Sequence, residues 1–117
     1  MEDCIFCKII KGEIDSKIVY ENEKVICFHD ISPAAPVHVL IVPKTHYCDV
    51  LELEADKEKG AGICLAVFSA VKEVAEKTGV SEKGFRVINN CREYGGQTVN
   101  HVHFHLLGGK KLNVKLI

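Results

Sequence analysis

His101-Val102-His103-Phe104-His105-Leu106-Leu107 is the stretch from which the rest of the chain is read. Half of the six histidines stand here at every second position, with apolar residues between them. Side chains alternate between the two faces of an extended strand, so a period of two predicts a strand over 101–107. The three imidazoles then share one face, while Val102, Phe104 and Leu106 enter a core. Same-face neighbours on such a strand lie about 7 Å apart. Burying imidazoles costs free energy unless each ring finds a partner, a metal or a substrate. A lone histidine in a strand is usually a core residue satisfied by a backbone carbonyl. Three in register point instead to a site.

Working outward, Gly95-Gly96-Gln97-Thr98 just upstream reads as a tight loop whose backbone N–H groups can approach an anion, with the Thr98 hydroxyl alongside. Phe85–Asn89 precedes it as a strand. From about Asp56 to Thr78, Cys64, Val67, Phe68, Val71, Val74 and Ala75 recur at three- and four-residue steps, which predicts one amphipathic helix stopped at Gly79. Val37–Val42 is apolar apart from His38 and predicts a strand buried on both faces, closed by Pro43. Residues 17–21 and 24–29 predict a hairpin turning at Asn22-Glu23, and Ser32–Pro36 breaks structure. Cys4 to Ile14 reads as a short helix or turn ending near Gly12. The tail, Leu112–Ile117, alternates only weakly. The expected fold class is α+β: a five-stranded, mostly antiparallel sheet with one long helix and a short N-terminal helix, in a single domain spanning 1–117.

Composition narrows the function. The 117 residues are 47% hydrophobic and 26% charged, as in an ordinary globular chain. A formal net charge of −1 argues against a nucleic-acid groove. No apolar run reaches the roughly 18 residues of a membrane span. Met1-Glu2-Asp3-Cys4 lacks secretory character, so a cytoplasmic protein is expected, in which close cysteines serve metal or redox chemistry more often than disulfides. A small-molecule substrate is the remaining expectation.

Imidazole serves as a nucleophile toward phosphorus, as an acid or base near neutral pH, or as a metal ligand. Histidines beside a glycine loop suggest phosphoryl or nucleotidyl transfer. Cys4-Ile5-Phe6-Cys7 is a C-x-x-C that fits structural zinc, a redox pair or two buried thiols. No second C-x-x-C follows, so zinc would need distant ligands, with His46 and one histidine of the 101–105 run as candidates. Cys27, Cys48 and Cys64 read as small apolar fillers and Cys91 as an exposed thiol. Asp30 either caps a turn or accepts from the vicinal hydroxyls of a sugar. His38 must be buried and hydrogen-bonded, satisfying itself or orienting another histidine.

Several of these stretches together resemble the histidine triad (HIT) family, and within it the Hint-type nucleoside phosphoramidases. The matching segments are Asp3–Ile10, His29-Asp30-Ile31-Ser32-Pro33 with Ala35-Pro36 and His38, Val42–His46, Gly95–Val99 and His101–Gly109. The resemblance implies that His103 is the nucleophile on the α-phosphate of a purine nucleoside 5′-phosphoramidate. A nucleotidyl-histidine would form and be hydrolysed to the nucleoside monophosphate. It further implies that His105 hydrogen-bonds a phosphate oxygen, that Thr98 stands near the leaving group, and that Gly96 and Gln97 contact phosphate. Asn90 would approach phosphate or ribose, and Asp30 would bind the ribose hydroxyls. Ile5, Phe6, Ile9, Phe28, Ile31 and Leu40 would line an apolar slot for the base, and His38 would support the nucleophile's orientation.

The same resemblance implies a structural zinc held by Cys4, Cys7, His46 and His101, no catalytic metal, and a homodimer formed across the long helix. The tail lacks the tryptophan-proline ending of animal Hint proteins, which leaves the leaving-group preference open. Two other functions stay beside the phosphoramidase: a dinucleoside polyphosphate hydrolase, and a non-catalytic, zinc-stabilised nucleotide-binding module.

Overall fold

A computed structural model describes residues 3–116; the leader reading at Met1-Glu2 and the end of the tail at Ile117 fall outside them. The elements are α1 (Ile5–Ile10), β1 (Ile18–Glu21), β2 (Val25–His29), β3 (Val37–Pro43), α2 (Val50–Ala55), α3 (Gly60–Lys77), β4 (Arg86–Ile88) and β5 (Phe104–Gly108). The strands form one sheet in the order β1-β2-β3-β5-β4. Every neighbouring pair is antiparallel. The expected α+β class with five strands and one long helix is what the chain adopts.

The alternation in β3 decides which side of the sheet does what. Val39 and Ile41 face α3, joining Val25, Cys27 and Leu106 in a core against Val67, Ala70, Val71 and Val74 of the helix. Leu40 and Val42 face the other way, joining Ile26, Phe28 and Phe6 of α1. The central strand is therefore buried on both faces, as its unbroken apolar run requires. Cross-strand pairing extends the second face: Phe28 opposes Leu40, Leu40 opposes His105, and His105 opposes Ile88. Because paired residues share a face, His105 stands on the α1 side, in line with two apolar floor residues.

Three expectations need correction. The strand of the histidine run starts at Phe104 rather than His101. The Val102 amide donates to the Tyr47 carbonyl, and the His101 carbonyl accepts from the ring of His103, so these groups are lost to the sheet ladder. The predicted helix from Asp56 begins at Gly60, and a further short helix, α2, precedes it. Asp49 caps α2, accepting from the amides of Leu51 and Glu52, while Asp56 ends it and accepts from the amides of Glu58 and Lys59. The Asp49-x-x-Glu52 spacing was the available signal for that start. The two helices meet so closely that a Cβ on Gly60 would come within 2.6 Å of the Leu53 carbonyl oxygen. Third, Cys64 and Phe68 point outward from α3 and Cys64 is no core filler. The buried stripe runs instead through Ile63, Val67, Ala70, Val71 and Val74, one step around the helix. Among the other thiols, Cys27 is fully buried and Cys48 and Cys91 are half-buried.

Candidate active site

His101 and His103 each meet a carbonyl that can only accept, and His105 is set through His38, so the tautomers follow from geometry. The Pro43 carbonyl lies 2.8 Å from His101 Nε2 and can only accept. His101 therefore carries its proton on Nε2 and turns the Nδ1 lone pair toward Cys4 and Cys7, at 3.3 and 3.6 Å. The His101 carbonyl in turn lies 2.7 Å from His103 Nδ1. His103 is thereby a donor through Nδ1, and its Nε2 lone pair is left free. The His103 carbonyl accepts from Asn89 Nδ2 at 3.0 Å, which pins the backbone at this residue.

His38 sets the third ring. The amide of Ala34 donates to His38 Nδ1 at 3.0 Å, so the proton of neutral His38 must sit on Nε2. That Nε2–H donates to His105 Nδ1 at 2.9 Å, with Asp30 Oδ2 alongside at 3.5 Å. His105 then holds its own proton on Nε2. The site thus presents one imidazole lone pair (His103) next to one imidazole donor (His105), with ring centroids 5.1 Å apart. Burial pushes the pKa of His103 down and that of His105 down to about 4, so both are neutral near pH 7. Asp30, His38 and His105 are close enough to share a cation. The proton that Ala34 forces onto His38 Nε2 blocks this lone pair, and the trio reads as a hydrogen-bond chain.

These groups open onto a cavity of about 400 Å³ lined by Ile5, Phe6, Ile9, Ile14, Asp15, Ser16, Phe28, His29, Asp30, Ile31, Leu40, Thr98, Val99, His103 and His105. Its apolar walls come from α1 and the α1-facing side of the sheet. Phe6 meets both Phe28 and His103 edge-on, at centroid distances of 5.7 and 5.1 Å. Ile31 is 97% exposed at the rim, an apolar side chain without cover.

On the far side of Phe6 lies a second cluster. Donor atoms of Cys4, Cys7, His46 and His101 all fall within 4.8 Å of one another. His46 Nδ1 is 3.0 Å from His101 Nδ1 and 3.3 Å from Cys7 Sγ. A tetrahedral zinc with ordinary bond lengths needs edges of about 3.3–3.8 Å, and the distances from His101 to Cys4, Cys7 and His46 and from Cys7 to His46 lie within a few tenths of an ångström of that range. The chemistry also fits. Two imidazole nitrogens and two sulfurs converge, and the Pro43 carbonyl holds His101 as metal-binding histidines are commonly held. Burial and the neighbouring Cys4 push the Cys7 thiol up to about 11.

The sequence pattern of the HIT domain matches residues 11–112. The chain belongs to the HIT family. It is 44% identical over 115 residues to the purine nucleoside phosphoramidase of Escherichia coli K12, covering 98% of this chain and 94% of that protein. A HIT family hydrolase from Clostridium thermocellum superimposes with a TM-score of 0.93 at 50% identity, covering 100% of this chain and 99% of the other. A histidine triad protein from Clostridium difficile gives 0.91 at 44% identity, with 99% and 98% covered. With these relatives, this HIT protein is an enzyme, a hydrolase.

The residues singled out in the sequence distribute unevenly over this HIT site. Asp30, Ile31, Phe6, Phe28, Thr98, His103 and His105 line the cavity together, with Ile5, Ile9 and Leu40. His38 reaches it only through His105, so it orients the third histidine and not the nucleophile, contrary to the expectation. Gly96, Gln97 and Asn90 are not lining residues. The amides of Gly96 and Gln97 close the loop on the carbonyls of Glu93 and Arg92. The Gln97 side chain is likewise engaged, donating to the carbonyls of Cys48 and Val99 and accepting from the Arg92 amide. The loop therefore works as a brace that carries Thr98 to the cavity rim, with Gly96 supplying a φ of 78°. Asn89, which the sequence did not single out, donates to the His103 carbonyl. Sequence reasoning also missed Ile14, Asp15 and Ser16, because nothing marks a loop after a short helix as part of a distant cavity.

Proposed function

We propose that this HIT hydrolase cleaves purine nucleoside 5′-phosphoramidates in two steps through a nucleotidyl intermediate on His103. The observation that carries this reading is the 2.7 Å hydrogen bond from His103 Nδ1 to the His101 carbonyl. It leaves Nε2 as a lone-pair nucleophile that needs no base to deprotonate it. In the first step Nε2 attacks the α-phosphorus and the bond from phosphorus to the leaving amine breaks. The Thr98 hydroxyl passes its proton to the leaving nitrogen and takes one back from solvent at the cavity rim. The positive charge gained by the substituted ring spreads to Nδ1–H, where the His101 carbonyl faces it. His105 Nε2–H donates to a non-bridging oxygen as negative charge builds there, and it is held in that direction beforehand by His38. In the second step water attacks the same phosphorus, the bond to His103 breaks, and nucleoside monophosphate leaves.

Substrate placement follows from the wall chemistry. With phosphate at His103 and His105, the ribose hydroxyls meet Asp30 and the base enters between Phe6, Ile9, Phe28 and Leu40. A flat ring there would cover the exposed Ile31. Cys4, Cys7, His46 and His101 would hold a structural zinc that ties α1 to the start of the triad segment; when bound, the metal supplies rigidity and no reacting group. A homodimer across α3 would cover Leu65 and Phe68, which are 71% and 61% exposed. All six cysteines are free, which suits a reducing cytoplasm.

Mass spectrometry of enzyme quenched during turnover of adenosine 5′-phosphoramidate tests the mechanism. A nucleotidyl adduct on His103, absent in His103→Ala, is the expected result. An adduct on another residue, or equal AMP release by wild type and His103→Ala, overturns it. Faster turnover of dinucleoside polyphosphates would shift the substrate class and keep the nucleophile. Metal analysis of the same sample should find one zinc per chain.

A further inference from the structure

The cavity contains one charged group that the proposed chemistry leaves unused. Asp15 follows α1 and lines the cavity beside Ile14 and Ser16. Asp15 and Ser16 also line the adjoining groove of about 790 Å³ that runs past Asp30 and His38, so they form the ridge between the two spaces. Among the described residues the exposed Asp15 carboxylate makes no ion pair and no hydrogen bond, and it borders the cavity next to the apolar Ile14. Both of its oxygens are therefore free acceptors at the rim where a bound base would end.

We propose that Asp15 reads the edge of the purine and makes guanine the preferred base. The proposal rests on the nucleotide placement given above. In a purine nucleotide the sugar is attached to the five-membered ring, so N1 and the C2 and C6 substituents lie at the end far from the ribose. Guanine presents two donors side by side there, N1–H and the C2 amine, which match the two oxygens of a carboxylate in a bidentate pair. Adenine presents one donor, its C6 amine, next to the N1 lone pair. That lone pair faces a carboxylate oxygen without a proton between them. Asp15 is exposed, so water replaces a missing base contact, and the selection is set by two donors facing two acceptors against one donor beside a repelling lone pair. The Ser16 hydroxyl, which donates as well as accepts, tolerates either purine and does not select between them.

The test compares guanosine, inosine and adenosine 5′-phosphoramidates on wild type, Asp15→Ala and Asp15→Asn, reading kcat/KM for each. Wild type should favour guanosine over adenosine by about tenfold, the scale of one bidentate base contact, with inosine between because it lacks the C2 amine. Asp15→Ala should bring the three substrates to similar values. Asp15→Asn should turn the preference toward adenosine, since an amide offers one acceptor and one donor to the amine and N1 of adenine. GMP and AMP binding to His103→Ala and to the double variant with Asp15→Asn, measured by calorimetry, gives the same comparison without turnover. If no phosphoramidate is cleaved but GMP binds more tightly than AMP in an Asp15-dependent way, the catalytic reading fails and the base assignment stands. A guanine-to-adenine ratio that is unchanged by both Asp15 substitutions overturns the base assignment while leaving the catalytic reading intact.

Discussion

His38 Nε2 stands 2.9 Å from His105 Nδ1, and the Ala34 amide on the opposite nitrogen of His38 dictates which ring gives the proton. The donor that His105 turns toward the cavity is therefore set two residues away from any substrate. His38→Gln should lower kcat by about a hundredfold, the low end of the range seen when a preorganised donor is lost. KM should change little, because the cavity wall is untouched. A variant that raises KM with kcat unchanged would show that His38 acts on binding instead.

Stability should fall in acid through this same ring. Burial first, then the neighbouring His103 and His38, hold the pKa of His105 at about 4 in the folded protein, against an ordinary value near 6.5. Between those values the unfolded chain binds the proton and the native chain does not. Unfolding free energy therefore rises with pH across this window and is lost as pH falls from about 6.5 to about 4. Urea titrations at several pH values should give a shallower slope for His105→Leu than for wild type over the same interval. Equal slopes would remove His105 from the acid response.

Metal uptake should release protons. Without a cation beside it, Cys7 is a neutral thiol near pH 7, since burial and Cys4 hold it at about 11. Ligation requires the thiolate. Zinc titrated into metal-free protein at pH 7 should give heats that vary with the ionisation enthalpy of the buffer, and Cys7→Ser should diminish that dependence. Heats that are the same in every buffer would mean that Cys7 is not a ligand.

Leu106 is fully buried between α3 and the sheet. Leu106→Ala should cost about 2–5 kcal/mol of stability, the range for truncating a core leucine. Thermal and urea unfolding measure it, and a loss under 1 kcal/mol would place the core elsewhere.

Asp49 joins two parts of the molecule. It caps α2 and accepts from Arg92 Nε at 2.8 Å in the loop that carries Thr98, and the Arg92 contact leads the causes that keep its carboxyl below the usual range. Asp49→Ala should cost about 1–2 kcal/mol through the lost cap. Arg92→Ala leaves the cap in place and should cost less, since the arginine is 62% exposed. Equal losses would mean that the ion pair, and not the cap, dominates.

The sequence by itself determined the sheet, the long helix and the family. The apolar runs of β2 and β3, the apolar steps along α3, and the ordered motifs from Cys4 to Gly109 are local or linear patterns, which a chain displays without being folded. The histidine run was legible as a site for the same reason. Tertiary structure alone decided what each ring does. A tautomer depends on which partner lies across the hydrogen bond, and those partners (Pro43, Ala34, His38) are remote in sequence or mute in their side chains. It also decided that Gly96 and Gln97 brace a loop, and that Asp15 borders the cavity. Those roles are set by which acceptors and walls come within a few ångströms, and no spacing along the chain encodes them.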